Sequence, residues 1–308
     1  MPQASLLRHA LLAAAHSPRL AAAAHRHGGR IGVWRFVAGE SLDQCVPVLR
    51  RLNGDGLLTN TTVLGEGVTD AGVAESIVNQ YMAVLDRIDG ERLQTNIAVK
   101  LTNLGLEFGE DVAYRNAARL VEHAARYANF VRIDMEESRY VDATLRIYRR
   151  LRESGHDRVG VVLQSYLYRS ERDLVDLLPL APNVRIVKGA YLEPAGVAYP
   201  RKADVDRAYV RLVESALSAQ AYTAVATHDD RIIRRTVEFV TRRAIPPAAF
   251  EFQMLLGVRP RLQLDLARQG YRVRVAAPHG PEWYPYLMRR LAERPANVLF
   301  VARNLLRQ

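Results

Sequence analysis

A set of polar residues stands where short β-branched runs give way to loops. They are Lys100 in NIAVKLTNLG, Asp134 in RIDMEES, Gln164 in VVLQ, Arg185, Lys188 and Tyr191 in RIVKGAY, Thr227 and His228 in ATHDD, and Gln253 in EFQMLL. Lysine is scarce here: of 43 Lys and Arg, only Lys100, Lys188 and Lys202 are lysines, and the first two end such runs. An ammonium drawn out of water must find a carboxylate or an anion, or lose its charge. Lys100 is therefore expected to pair with Asp134 on the neighbouring strand, in a pair that also helps to bind a zwitterion. Strand alternation puts Asp134 and Glu136 on one face, which makes them a candidate catalytic carboxylate pair. Metal binding by these carboxylates is not expected, because no HxxxH or HExxH pair accompanies His228 or His279.

A second constellation lies near the C-terminus, in YPYLMRRLAER. Glu293 is four residues from Arg289 and three from Arg290, so on a helix it can hold a guanidinium in place. Adjacent arginines diverge by about 100°, which lets two planar forks lean toward one carboxylate. The plainer reading is a solvated basic face, but Trp283, Tyr284 and Tyr286 just before it make that face less plainly solvated.

The elements that must position these groups follow from periodicity. Eight candidate strands, at 57–65, 96–102, 130–136, 159–164, 184–191, 223–229, 250–256 and 272–278, alternate with eight stretches whose apolar residues recur at spacings of three and four. This rhythm predicts an α/β fold, a closed (βα)8 barrel in preference to an open doubly wound sheet. The open sheet lacks its dinucleotide or phosphate-loop fingerprint: GGRIGVW and NGDGLL fail the spacing. Barrel enzymes place their chemistry at strand C-terminal ends, where the polar set stands. Residues 1–50 are expected to form a helical segment packed on a single barrel domain, 51–308.

Composition narrows the function class. With 49% hydrophobic and 25% charged residues the chain can build a sizeable core, and the lone Cys45 excludes an internal disulfide framework. The net charge of +10 is interrupted by carboxylates, as in RLRESGHDR and RRLAER, which favours a solvated arginine-rich surface over a nucleic-acid interface. The N-terminal Ala/Leu/Arg runs are broken by His, Pro and Arg, and none approaches a membrane span.

The segments VKLTNLG, RIDMEES, VVLQSYLYRS, RIVKGAY, ATHDDRII, EFQMLLGVRP and YLMRRLAERPAN occur in this order. Together they resemble the flavin-dependent proline dehydrogenase family, from about Leu57 to Asn297. The resemblance implies a distorted (βα)8 barrel with added N-terminal helices. It also implies FAD at the strand ends, oxidation of L-proline to Δ1-pyrroline-5-carboxylate by hydride transfer to flavin N5, and electrons passed to a quinone. A cytoplasmic protein with peripheral contact at the inner face of the cytoplasmic membrane goes with that acceptor. On the cofactor side it implies Gln164, Arg185, Val187, Lys188, Gly189, Ala190, Thr227 and His228. On the substrate side it implies Lys100, Asp134, Tyr191, Leu255, Tyr286, Arg289 and Arg290, with Glu293 orienting the arginine pair. One segment departs from the family pattern: RVAAPHG puts Ala276 where an aromatic is usual, and His279 where another is common. A wider pocket for hydroxyproline or another cyclic or substituted amino acid, with His279 as a polar contact, is the alternative this raises.

Overall fold

The computed structural model describes residues 33–65, 68 and 70–293, together with positions 14, 17, 20, 21, 24 and 26 of the N-terminal segment. Eight parallel strands close into a barrel in chain order: β1 Leu58–Thr61, β2 Thr95–Val99, β3 Val131–Ile133, β4 Val159–Gln164, β5 Asn183–Val187, β6 Tyr222–Ala226, β7 Phe250–Leu255 and β8 Val273–Ala276. Closure is made by β1 pairing with β8, Asn60 opposite Ala276. Each expected strand is present, but most stop earlier than the sequence pattern suggests. The polar or glycine residues at their ends leave the ladder and become the mouth.

From residue 33 onward the α-helices among the described residues are α1 Leu42–Gly54, α2 Ala71–Gly90, α3 Glu110–Arg126, α4 Val141–Glu153, α5 Ser170–Leu177, α6 Lys202–Ser218, α7 Asp230–Arg242, α8 Pro260–Arg268 and α9 Trp283–Glu293. Ser41 and Asp70 cap α1 and α2 by accepting from the amides of Gln44 and Val73, which satisfies a helix-end donor that has no partner within the helix. Much of the expected segment 1–50 lies outside the described residues. Its end, α1, continues past residue 50 and buries Cys45, Leu49 and Leu52 in the core shared by strands and helices.

A second apolar cluster joins Val33, Phe36 and Val37 to Trp283, Leu287 and Leu291 of α9. Trp283 Nε1 also donates to Glu40 Oε1 at 2.7 Å. Helix α9 is thus anchored by the chain that precedes the barrel, and it brings Tyr286, Arg289 and Arg290 to the mouth.

Barrel interiors are usually filled by branched apolar side chains. Here the registers place Asn60 beside Asn96, Ala98 beside Arg132, and Gln253 beside Arg274. The inward face therefore carries three arginines, Arg132, Arg185 and Arg274, with Glu251 and Gln253 on β7. Space for them comes from small residues at the same levels. Ala224 stands opposite Arg185, Ala226 opposite Gln253, and Gly160 opposite Arg132. A methyl group on Gly160 would meet Arg132 Nη1 at 2.4 Å.

Candidate active site

The strand ends and α9 enclose a cavity of about 770 Å3, within the range of small-molecule and cofactor sites. Strand β5 and the chain that leaves it supply a continuous stretch of wall, with Arg185, Val187, Lys188, Gly189, Ala190 and Tyr191 all lining the space. Gly189 turns the chain at φ 108°, and a Cβ there would stand 2.3 Å from the Tyr166 ring. Glycine alone lets the backbone pass so close to that ring.

Charges in the mouth are partnered. Lys188 Nζ donates to Asp206 at 2.6 Å and to Asp229 at 3.1 Å, and Lys202 shares both carboxylates. Burial alone would raise the Asp229 carboxyl, but the hydrogen bond and charge of Lys188 bring it down to about 2. Arg185 forms an ion pair with Asp134, and its Nη1 donates to Gln253 Oε1 at 3.3 Å. Burial pushes this guanidinium down to about 9, with Arg132 adding like-charge repulsion, so it stays cationic at neutral pH.

Gln164 donates through Nε2 to the carbonyls of Met135 and Glu136, at 3.3 and 3.1 Å, while its Oε1 is buried with no hydrogen-bond partner. Thr227 Oγ1 accepts from the Asp229 amide. His228 Nε2 accepts from the Leu255 amide at 2.9 Å, which puts the ring proton of the neutral imidazole on Nδ1 and ties β6 to β7. Lys100, Leu255 and Ala276 line the cavity, as do Tyr286, Arg289 and Arg290 of α9. The Arg290 guanidinium lies over the Tyr286 ring, 5.1 Å from its centroid, a cation–π contact that restricts its swing.

Three expectations are corrected. Asp134 pairs with Arg185 instead of Lys100. Asp134 and Glu136 do not form a carboxylate pair in the cavity: β3 ends at Ile133, so the alternation stops. Glu136 instead turns to the backbone amide and hydroxyl of Thr102, at 3.1 and 2.6 Å, where burial pushes its carboxyl above the usual range. His279 does not line the cavity. It is 2% exposed, and its Nδ1 is bound to Thr61 Oγ1 at 2.9 Å. The side chain of Glu293 lies outside the described residues.

The cavity also includes Asn60, Thr62, Val63 and Leu64 from β1 and the chain after it, and Gln253, noted in the sequence as a strand-end polar residue without a role. Thr62 and Val63 are held by the buried Tyr81 hydroxyl of α2, at 3.0 and 3.2 Å. A polar run reading LTNTT, Leu58 to Thr62, was the available signal for Asn60 and Thr62.

The proline dehydrogenase family model matches residues 45–303. The chain belongs to the proline dehydrogenase family. Proline dehydrogenase of Deinococcus radiodurans is 43% identical over 306 residues, covering 98% of both chains. Proline dehydrogenase 1 of Bacillus subtilis subsp. natto is 39% identical over 303 residues, covering 98% of this chain and all of its own. Among solved structures, proline utilization A from Bdellovibrio bacteriovorus, inactivated by N-propargylglycine, superposes with a TM-score of 0.80 at 24% identity. It covers 88% of this chain, which spans 33% of that longer one. As a proline dehydrogenase family member the chain is an oxidoreductase enzyme, and it shares its barrel fold with that structure.

Proposed function

We propose that this protein oxidises L-proline to Δ1-pyrroline-5-carboxylate with FAD in the cavity at the barrel mouth. The observation that carries this reading is the composition of that one cavity. It joins an arginine pair on α9 to a cation-bearing, glycine-turned strand end on β5 and to a buried amide acceptor on β4. When bound, FAD supplies the hydride acceptor at N5, and a quinone takes the electrons onward.

The residues present fit that group. Gln164 Oε1, buried without a partner, suits an imide N–H of the flavin ring. Arg185 and Lys188 favour a ring that gains negative charge on reduction. Val187, Gly189, Ala190, Thr227 and His228 complete the cofactor side.

Arg289 and Arg290 bind the substrate carboxylate in a planar, two-pronged clamp. Lys100 adds a third cation, while Tyr191, Tyr286, Leu255, Ala276 and Asp134 shape the space for the ring. Clamping the carboxylate fixes the ring carbon beside the amine, so orientation carries most of the catalysis. The quinone step goes with peripheral contact at the inner face of the cytoplasmic membrane; no helix among the described residues is long and apolar enough to cross a membrane.

Ala276 widens the cavity, but the expected polar contact from His279 to a hydroxylated ring is gone, because that side chain is committed to Thr61. Both full-length relatives are proline dehydrogenases, which supports proline over a substituted ring. The test is anaerobic bleaching of the flavin by a panel of proline, hydroxyprolines and related cyclic amino acids. Proline is expected to bleach fastest, and Arg289→Ala or Arg290→Ala to raise KM by roughly ten- to hundredfold, the scale of a charge-assisted hydrogen bond. A protein that cannot be reconstituted with FAD, or an unchanged KM in both variants, overturns the reading.

A further inference from the structure

Helix α2 packs outside the barrel, yet one of its side chains reaches into the sheet where the cavity begins. Tyr81 is fully buried, and its hydroxyl donates to the Ala98 carbonyl of β2 at 3.0 Å while accepting from the Val63 amide at 3.2 Å. Register makes those two backbone groups natural partners. Thr59 N–H donates to the Gln94 carbonyl, and in a parallel ladder every second amide of a strand bonds to the same neighbour. Stepping by two along both strands from that bond reaches Thr61 with Asn96, then Val63 with Ala98. The Ala98 carbonyl does face β1, because the Val99 carbonyl and the Ile97 amide are taken by Asp134 and Phe130 on the β3 side. The Tyr81 hydroxyl therefore occupies a rung of the ladder.

Its effect is one-sided. Pairing of β1 with β2 ends at Thr61 opposite Ile97, whereas on the β8 side the chain stays paired, with Val63 bridging His279. There the His279 amide donates to the Thr62 carbonyl at 3.0 Å, and the Leu64 amide to the His279 carbonyl at 2.7 Å. Residues 62–64 thus part from β2 and stay with β8. All three line the cavity, and so do Ala98 and Lys100 across the gap.

A phenol has one proton to give, and burial pushes that of Tyr81 above its ordinary value, so it stays in place at neutral pH. Ala98 offers a carbonyl, which only accepts, and takes this proton. The Thr62 hydroxyl, 3.0 Å away, must then donate to Tyr81 alongside the Val63 amide. Every group at the rung is satisfied while the strands are held apart. We infer that Tyr81 is a positioning residue, whose hydroxyl replaces the Val63–Ala98 rung and so sets the width of the cavity between the 62–64 wall and Lys100. This rests on the reading that Lys100 serves the substrate. In Tyr81→Phe the two backbone groups lose their shared partner, and buried backbone groups are paired almost without exception. They meet directly, the rung closes, and the wall moves toward Lys100.

The experiment compares steady-state kinetics and flavin reduction potential of the reconstituted full-length protein, wild type against Tyr81→Phe. Positioning predicts a KM for proline raised roughly three- to tenfold, the range of a single neutral hydrogen bond. It predicts kcat and potential nearly unchanged, because β4, β5 and β6 carry the flavin side. A lower unfolding temperature with KM unchanged overturns the inference, as does a fall in kcat with a shifted potential. Crystal structures of both proteins without flavin read the rung directly. Val63 N and Ala98 O within hydrogen-bonding distance in the variant support the role; unmoved strands, or a water in the place of the hydroxyl, overturn it. Where Tyr81→Phe does not fold, the α-hydroxy acid analogue of valine at position 63 exchanges the donating N–H for an ester oxygen and leaves Tyr81 intact. It is expected to raise KM in the same range at unchanged kcat, and an unchanged KM overturns the role. A closed rung in protein that fails to bind FAD sinks the flavin reading alone. Unmoved strands in protein that binds FAD and is bleached by proline sink the positioning role alone.

Discussion

Two populations of arginine–carboxylate pairs share one chemistry under opposite conditions. On the helical shell, Arg119 of α3 grips Glu75 of α2 through two contacts, at 2.6 and 2.8 Å, with both side chains more than a third exposed. Inside the barrel, Arg274 grips Glu251 in the same bidentate way, with exposures of 14% and 2%. Water screens the first pair and competes for its hydrogen bonds, so geometry contributes little. The second pair has no water to fall back on, so each partner is the other's solvation. The same motif is decoration in one place and a structural requirement in the other.

The comparison is most easily broken from the inside. Arg274→Ala strands the Glu251 carboxylate in the interior and is expected to cost about 3–5 kcal/mol, read as a lower urea midpoint at unchanged m-value. A loss under 1 kcal/mol would mean that the interior is wetter than its burial indicates.

His279 sharpens the contrast, because it is buried beside Thr61 without a counter-charge. Burial pushes its imidazole from 6.5 down to about 4. The folded state therefore binds fewer protons than the unfolded chain within that interval. The contribution of His279 to stability is full above the unfolded value, falls as pH drops through it, and is lost by the folded value, a difference of roughly 3 kcal/mol. Urea unfolding followed across the interval should show this slope, and His279→Asn, whose side-chain NH2 keeps a donor for the Thr61 oxygen already committed to the Ala277 carbonyl, should flatten it.

The smallest effect belongs to the shell. Glu75→Ala is expected to cost about 0.2–1 kcal/mol and to matter less at high salt. A cost comparable to that of Arg274→Ala would erase the distinction between the two populations.

Much of the cavity lining was legible because strand ends form the barrel mouth, and strand ends are visible as β-branched runs closing on a polar residue. Lys100, Gln164, Arg185, Lys188, Thr227 and His228 were found that way, and all line the cavity. Arg132, Glu251 and Arg274 were equally visible as charges on alternate positions of FVRID, FEFQML and RVRVA. They went unassigned because alternation says that a residue shares a face with its neighbours, not whether that face is the interior or the helix side. Only closure of the barrel makes a buried charge at mid-strand sensible, since it brings Arg274 to Glu251 and Arg185 to Gln253.

The sequence by itself determined the eightfold alternation, the strand-end set of polar residues and the arginine pair of α9, because these are properties of local spacing. Partner choice belonged to the tertiary structure alone. Asp134 met Arg185 across the interior, Glu136 turned to Thr102 once β3 had ended, and His279 met Thr61 where β1 and β8 close. The physical reason is desolvation. A buried charge or polar group takes whichever partner the folded chain brings within hydrogen-bonding reach, and that distance is set by strand register and closure, which no spacing along the chain encodes.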